Sequence, residues 1–274
     1  MPQRLVLAHV LPFLLAALTA ATASADAAHP ATTTATLALV IDDVGYSFEH
    51  GRRAIALPGP ITVAVLPFAP NTAVLAELAA SRGADVILHE PMQATDAPPN
   101  DPGTLTVAMS DGDLRDQFER ALADVPQAIG VNNHTGSLLT AQRGAMNALM
   151  NELRVHGLFF LDSRTTPETV ALHVAVEHGV PAVPRDVFLD HVVEPRDIEA
   201  EFERAIAIAR RQGHVVVIAH PNDISLEFLE RALPTLAERG VTQIRVVDLV
   251  ENVRPAAMPV LSADRASPHT GPAL

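Results

Sequence analysis

Short apolar, β-branched runs alternate with segments of helical period over most of this chain. The runs stand at 37–41, 61–66, 85–88, 128–131, 158–161, 180–183, 215–219 and 243–247. The helical segments fall between them, at 47–57, 72–82, 111–123, 141–156, 167–178, 196–212 and 225–239. Near-continuous apolar runs mark strands buried on both faces, and their alternation with helices implies parallel strands covered by helices on the outside. Local punctuation agrees. Arg82-Gly83, His156-Gly157, His178-Gly179, Gln212-Gly213 and Arg239-Gly240 each place a basic or polar residue and then glycine where a helix should stop. Thr166-Pro167-Glu168 reads as a cap, a first-turn proline and an acidic start. The pattern predicts a single α/β domain, a distorted (β/α) barrel with seven or eight mainly parallel strands. A doubly wound open sheet fits the same strand pattern.

Two stretches break the rhythm. Residues 90–110, with Pro91, Pro98, Pro99 and Pro102, form a long loop after the third strand, and long loops in compact domains are usually functional or disordered. Residues 184–195 make a second, more apolar connection. The ends differ in kind. Arg4, an apolar stretch over 5–18 and Ala23-Ser24-Ala25 have the features of a cleavable signal. The apolar part, interrupted by His9 and Pro12, is short for a span of about 20 residues. The expected organisation is a signal peptide over 1–25, a flexible lead-in over 26–36, a barrel domain over 37–252 and a disordered tail over 253–274. The mature protein is then expected to be periplasmic or secreted, with no stable membrane span after signal cleavage.

Composition narrows the chemistry. The chain has no cysteine, which excludes disulfides, thiolate metal sites and cysteine nucleophiles. Any metal must be held by His and carboxylates, a donor set that suits zinc or another first-row divalent ion. With 19 Lys+Arg against 32 Asp+Glu and no basic run, nucleic acid is not an expected partner.

Polar residues recur at the carboxyl ends of the predicted strands: Asp42-Asp43, His89-Glu90, Asn132-Asn133-His134, Asp162-Ser163-Arg164 and His220. In parallel β/α architecture these ends converge on one face. Taken singly, an Asp there is more often a turn former or cap, and a lone His is as readily a satisfied rim residue as a ligand. His50, His156, His173, His178 and His214, on helices, at their ends or in a turn, have that plain reading; His191 is open. Five strands delivering Asp or His to one rim favour a site. Two adjacent carboxylates at a buried strand end repel and are costly to desolvate, so a divalent cation, or a nearby His or Arg, is the natural compensation. With one Asp on a metal, its neighbour can accept a proton from metal-bound water.

The motifs Ile41-Asp42-Asp43-Val44-Gly45, Leu88-His89-Glu90-Pro91-Met92, Gly130-Val131-Asn132-Asn133-His134-Thr135-Gly136-Ser137, Leu161-Asp162-Ser163-Arg164-Thr165 and Ala219-His220-Pro221 resemble the divergent polysaccharide deacetylase family over about residues 37–250. The resemblance implies a distorted barrel whose metal-bound water attacks an acetyl carbonyl, with one divalent ion, zinc by analogy, and an acetylated carbohydrate as substrate. It makes Asp42 the general base, Asp43 and His89 metal ligands, and His220 the acid that protonates the leaving group. His134 is expected to complete the ligand set, and Asp162 to orient His220 or contact substrate. The sequence departs from the wider superfamily at Gln93, where a second His usually stands four residues after the first, and at Asn-Asn-His-Thr-Gly, which replaces an Arg-Pro-rich motif. It has no Trp and a single Tyr, Tyr46, so aromatic sugar platforms are scarce.

The first reading is therefore a metal-dependent hydrolase removing acetyl groups from envelope carbohydrate. The second is a non-catalytic barrel that binds glycan or an envelope protein. A third is a metal-free glycosidase using Asp42 with Asp162 or Asp186.

Overall fold

The computed structural model describes residues 35–253; the expected signal peptide, nearly all of the lead-in and the tail from 254 lie outside them. Nine strands, all paired in parallel, are found among the described residues. β1 (Ala35–Val44), β2 (Thr62–Val65), β3 (Asp85–Met92), β4 (Gly130–Thr135), β5 (Phe159–Asp162) and β6 (Ala182–Pro184) run outward in order on one side, while β8 (His214–Ala219) and β7 (Val187–Phe188) extend the other. The two ends of this order, β6 and β7, are separated along the chain by Arg185 and Asp186 alone. One short segment thus pairs first with β5 and then with β8, and the sheet curls into a distorted barrel. Asp186 seals the junction: its N–H donates to Val216 O, and its Oδ2 accepts the Val216 N–H.

β1 is long enough, at ten residues, to seat two strands end to end on one edge. Residues 35–38 pair with β9 (Val241–Ile244), and Val40 onward pairs with β2, while the opposite edge carries β8. Side chains then sort by strand parity. Leu37, Leu39, Ile41, Val63, Val65, Val86, Leu88, Val215 and Val217 join the larger core, which includes the inner faces of the covering helices. These are α1 (Phe48–Ile55), α2 (Thr72–Ser81), α3 (Asp111–Asp124), α4 (Arg143–His156), α5 (Ala171–Glu177), α6 (Pro195–Gln212) and α7 (Asp223–Ala232). The alternate residues Ala38, Val40, Ala64, Ile87, Leu161, Val216 and Ile218 form a separate core inside the barrel, to which α8 (Val246–Val253) adds Val246, Leu249 and Val250. No helix among the described residues is long and apolar enough to cross a membrane.

Three elements depart most from the sequence pattern. The expected strand at 243–247 is β9 followed at once by α8, whose apolar residues face the barrel interior. The expected helix at 225–239 starts at Asp223, where Asn222 caps it, and ends at Ala232, passing into a 3-10 turn at Leu233–Thr235. Pro234 in that turn has no N–H to continue an α-helical ladder. The helix expected from 167 begins at Ala171, because residues 164–169 fold back on Asp162.

Candidate metal centre

The inward parity that carries Val40, Ile87, Leu161 and Ile218 through the interior delivers Asp42, His89, Ser163 and His220 to its carboxyl-end mouth. Asp43 breaks the alternation. Two residues of β1, Asp42 and Asp43, oppose the single Ala64 of β2 between the pairs Ile41–Val63 and Val44–Val65, which is a bulge, and Asp43 sits in it with φ of 56°. A bulge re-aims the extra side chain, and Asp tolerates the left-handed region better than most residues. Both aspartates therefore face one cavity of ≈ 280 Å³, whose wall includes Arg185, Phe188 and His220. Gly45 turns the chain out of the bulge at φ of 148°, and a Cβ there would lie 2.9 Å from Ala69 Cβ.

Asp43, His89 and His134 bring one donor atom each to a common point. Asp43 Oδ1 lies 3.1 Å from His89 Nε2 and 2.9 Å from His134 Nδ1, and the two nitrogens are 3.1 Å apart. Tetrahedral zinc with ligands at 2.0–2.1 Å spaces them by about 3.3 Å, so the triangle is close to one face of such a site. The hydrogen bonds behind it bare the correct atom. Asn132 Nδ2 donates to Asp42 Oδ1 (2.9 Å) and to Ser163 Oγ (3.2 Å), which turns its Oδ1 toward His89 Nδ1 at 2.8 Å. Nδ1 of His89 thus carries the hydrogen, and a neutral ring presents an Nε2 lone pair to the other two donors. A lone pair facing a carboxylate and a second imidazole nitrogen calls for a proton or a cation between them. The residues fit a divalent ion.

Two flanking groups complete the mouth. Asp42 Oδ2 is 3.7 Å from His89 Nε2, and His220 Nε2 is 3.9 Å from Asp43 Oδ2. Burial pushes the Asp42 carboxyl above its usual range, although His89, His220 and the Asn132 amide pull the other way. Burial also opposes the charge on Asp43, but the His134 and His89 imidazoles, when a proton sits between them and the carboxylate, outweigh it and hold its carboxyl well below that range. Adjacent carboxyls with opposite shifts are suited to different roles. Burial works against a charge on His220, yet the Asp190 hydrogen bond and the carboxylates of Asp42, Asp190 and Asp43 push it up to about 9.

Asp190 is the principal residue that the sequence pattern did not reveal. Its Oδ1 lies 2.9 Å from His220 Nδ1, and its Oδ2 accepts from His220 N–H (2.7 Å), Ser225 Oγ (2.7 Å) and Asn222 Nδ2 (3.1 Å). It sits in the apolar 184–195 connection, and an Asp set among Phe188, Leu189 and Val192 was the available signal. Asp162, expected to orient His220 or meet substrate, does not touch His220. It has the outward parity, between Leu161 and Ser163, and accepts from Arg164 N–H and Thr169 Oγ1. It borders a separate cleft of ≈ 810 Å³ with Leu172 and His173. Asp186 closes the barrel, as described above, so neither carboxylate offered as Asp42's partner in a glycosidase lines the cavity.

Gln93 is engaged elsewhere, its Oε1 accepting the Val107 N–H. The departure at Asn-Asn-His is structural as well as chemical: Asn132 wires Asp42 to His89, and Asn133 staples β4 to the chain after β5 through Ser163 N–H (2.9 Å). His50, His156 and His178 pair with Asp223, Glu119 and two asparagines of neighbouring helices and His173 with Glu177 of its own, while exposed His191 packs beside Phe188 outside the triangle.

An uncharacterized protein of Haemophilus influenzae is 40% identical over 202 residues, covering 74% of this chain and 72% of its own length. The uncharacterized protein YibQ of Escherichia coli K12 is 37% identical over 200 residues, 73% of this chain and 63% of YibQ. The crystal structure of an uncharacterized protein from Agrobacterium tumefaciens C58 shares the fold, with a TM-score of 0.76 at 24% identity, covering 79% of this chain and 89% of that one. Residues 39–250 match the family described as divergent polysaccharide deacetylase. From Leu39 in β1 to Val250 in α8, spanning every residue of the triangle and both flanking groups, this chain belongs to the divergent polysaccharide deacetylase family.

Proposed function

We propose that the protein is a metal-dependent hydrolase that removes acetyl groups from an envelope carbohydrate. The observation that carries this reading is the triangle of Asp43 Oδ1, His89 Nε2 and His134 Nδ1, with separations of 2.9–3.1 Å, between Asp42 on one flank and His220 on the other. These three residues would hold one divalent ion, zinc by its preference for two imidazoles and a carboxylate. When bound, such an ion polarises the acetyl carbonyl and lowers the pKa of water.

The remaining work falls to the chain. Asp42, buried and made more basic by burial, accepts the proton of the attacking water. Asn132 fixes the orientation of its carboxylate. His220 holds a proton at Nε2 at neutral pH, because Asp190 binds its opposite nitrogen, and delivers it to the leaving nitrogen or oxygen. A cavity of ≈ 280 Å³ admits an acetyl group and part of a sugar, with Phe188 and Arg185 forming the wall beside His220.

Zinc content and acetate release from acetylated glycans test this reading on the purified protein. Wild type should hold about one zinc per chain, and Asp43→Ala and His134→Ala should hold little. Asp42→Asn should keep the metal and release acetate 10²–10⁴-fold more slowly, by the usual size of a general-base contribution. Wild type that stays metal-free after reconstitution overturns the mechanism and moves the assignment to a glycan- or protein-binding barrel.

A further inference from the structure

The loop after β3 leaves the barrel rim and returns to it with a carboxylate. Its base is fastened by backbone pairing: Gln93 N–H donates to Leu105 O (2.9 Å), and Leu105 N–H donates to Pro91 O (2.8 Å). Gly103 lies against the Phe68 ring at φ of 86°, where a Cβ would approach a ring carbon to 2.6 Å. Thr104 Oγ1 donates to Asp101 O at 2.6 Å. Near the tip of this strap, Asp101 Oδ1 accepts the Tyr46 hydroxyl at 2.6 Å. Its other oxygen, Oδ2, lies 3.4 Å from Nε2 of His134. That nitrogen is across the ring from Nδ1, the atom facing Asp43 and His89.

A neutral imidazole carries one N–H, and the nitrogen that bears it cannot bind a cation. The two histidines of the triangle therefore need opposite tautomers. His89 must be protonated on Nδ1, and the buried Asn132 amide ensures this from within the barrel wall. His134 must be protonated on Nε2, and the Asp101 carboxylate on the strap stands 3.4 Å from that atom.

We propose that Asp101 is a positioning residue for the metal centre: it takes the Nε2 hydrogen of His134, leaves Nδ1 bare for the cation, and so makes metal retention depend on the seating of the 93–110 strap. This rests on the reading of Asp43, His89 and His134 as ligands. Tyr46, directly after the aspartate bulge and Gly45, is the second anchor, because its hydroxyl donates to the other oxygen of the same carboxylate. The two halves of the site are thus tuned differently, His89 by a buried interior amide and His134 by a carboxylate on a loop that is fastened at its base and by Tyr46.

Zinc affinity, read by competition against a chelator of known strength, tests the proposal together with the thermal midpoint of the metal-free protein. Loss of an outer carboxylate behind a ligating histidine costs about 10–100-fold in metal affinity. Asp101→Ala should show a loss of that size and Tyr46→Phe a smaller one, both with the metal-free midpoint unchanged. Asp101→Glu, which can still accept the hydrogen, should recover part of the affinity. An Asp101→Ala protein that holds zinc as tightly as wild type overturns the proposal, and so does a loss of affinity fully matched by a fall in the metal-free midpoint. Absence of zinc binding by wild type strikes instead at the ligand assignment beneath it.

Discussion

Asp190 grips His220 twice, at the ring through Nδ1 (2.9 Å) and at the backbone through its N–H (2.7 Å). The carboxylate is wholly buried, and Ser225 and Asn222 donate to the oxygen that takes the backbone contact. The imidazole is therefore fixed in both position and protonation, with Nε2 turned to the cavity.

Replacing Asp190 by Asn removes a charge and a hydrogen bond that raise the His220 pKa. The alkaline limb of the rate profile should move to lower pH, and kcat should fall at pH 8 more than at pH 6. A pH–rate series comparing wild type with Asp190→Asn checks this. An unmoved alkaline limb would falsify the pairing as the source of the acid.

The same residue links stability to pH. His220 is pushed up to about 9 in the folded protein from an ordinary 6.5. The proton is bound more tightly by the folded form, so the stabilisation is fully present below pH 6.5 and is lost as pH rises through about 9. Denaturant midpoints of the metal-free protein should decline across that window, and His220→Gln should flatten the decline.

Glu90 offers a contrasting case. It follows His89 with the opposite parity, is fully buried, and has no hydrogen-bond partner for either carboxyl oxygen. Burial raises its pKa well above 4.5, so the folded state loses stability as pH climbs from there toward the raised value. Glu90→Met should stabilise the protein by ~1–3 kcal/mol near neutral pH, with a smaller gain under acid conditions. Urea unfolding at two pH values measures both. A destabilised Glu90→Met would show that the carboxyl has a partner that matters.

Asp162 and Asp42 are both buried strand-end aspartates, but they lie on opposite faces. Asp162→Asn keeps an oxygen for Arg164 N–H, its amide N–H can donate to Thr169 Oγ1 in place of accepting from it, and acetate release should stay within a few-fold of wild type. Asp42→Asn should reduce it by at least ~10². Equal losses in the two variants would return Asp162 to the site.

That contrast shows what the sequence exposes. Strands and helices were legible because buried parallel strands are apolar throughout and helix ends carry glycine. The rim residues Asp42, Asp43, His89, His134 and His220 were legible as polar residues that end such runs. Parity was not, since a strand buried on both faces gives no alternation to count from, and the carboxylate paired with His220 is Asp190 rather than Asp162. β7 and Asp190 were hidden in a connection whose two-residue strand is too short to leave a pattern. Asp101 reaches His134 through the tertiary path of a loop, which no local spacing encodes.

The arrangement of β1 bears on how the molecule is made. Its two edges await β8 and β9, and Thr36 finds its acceptor on Gly213, 177 residues further along the chain. Contacts so distant in sequence are slow to form because the intervening loop must first be closed. A chain growing from its N-terminus cannot finish its central strand until nearly all of it has been synthesised, and a fragment stopped before β8 would present β1 as a bare, adhesive edge. The barrel is thus a late and collective event.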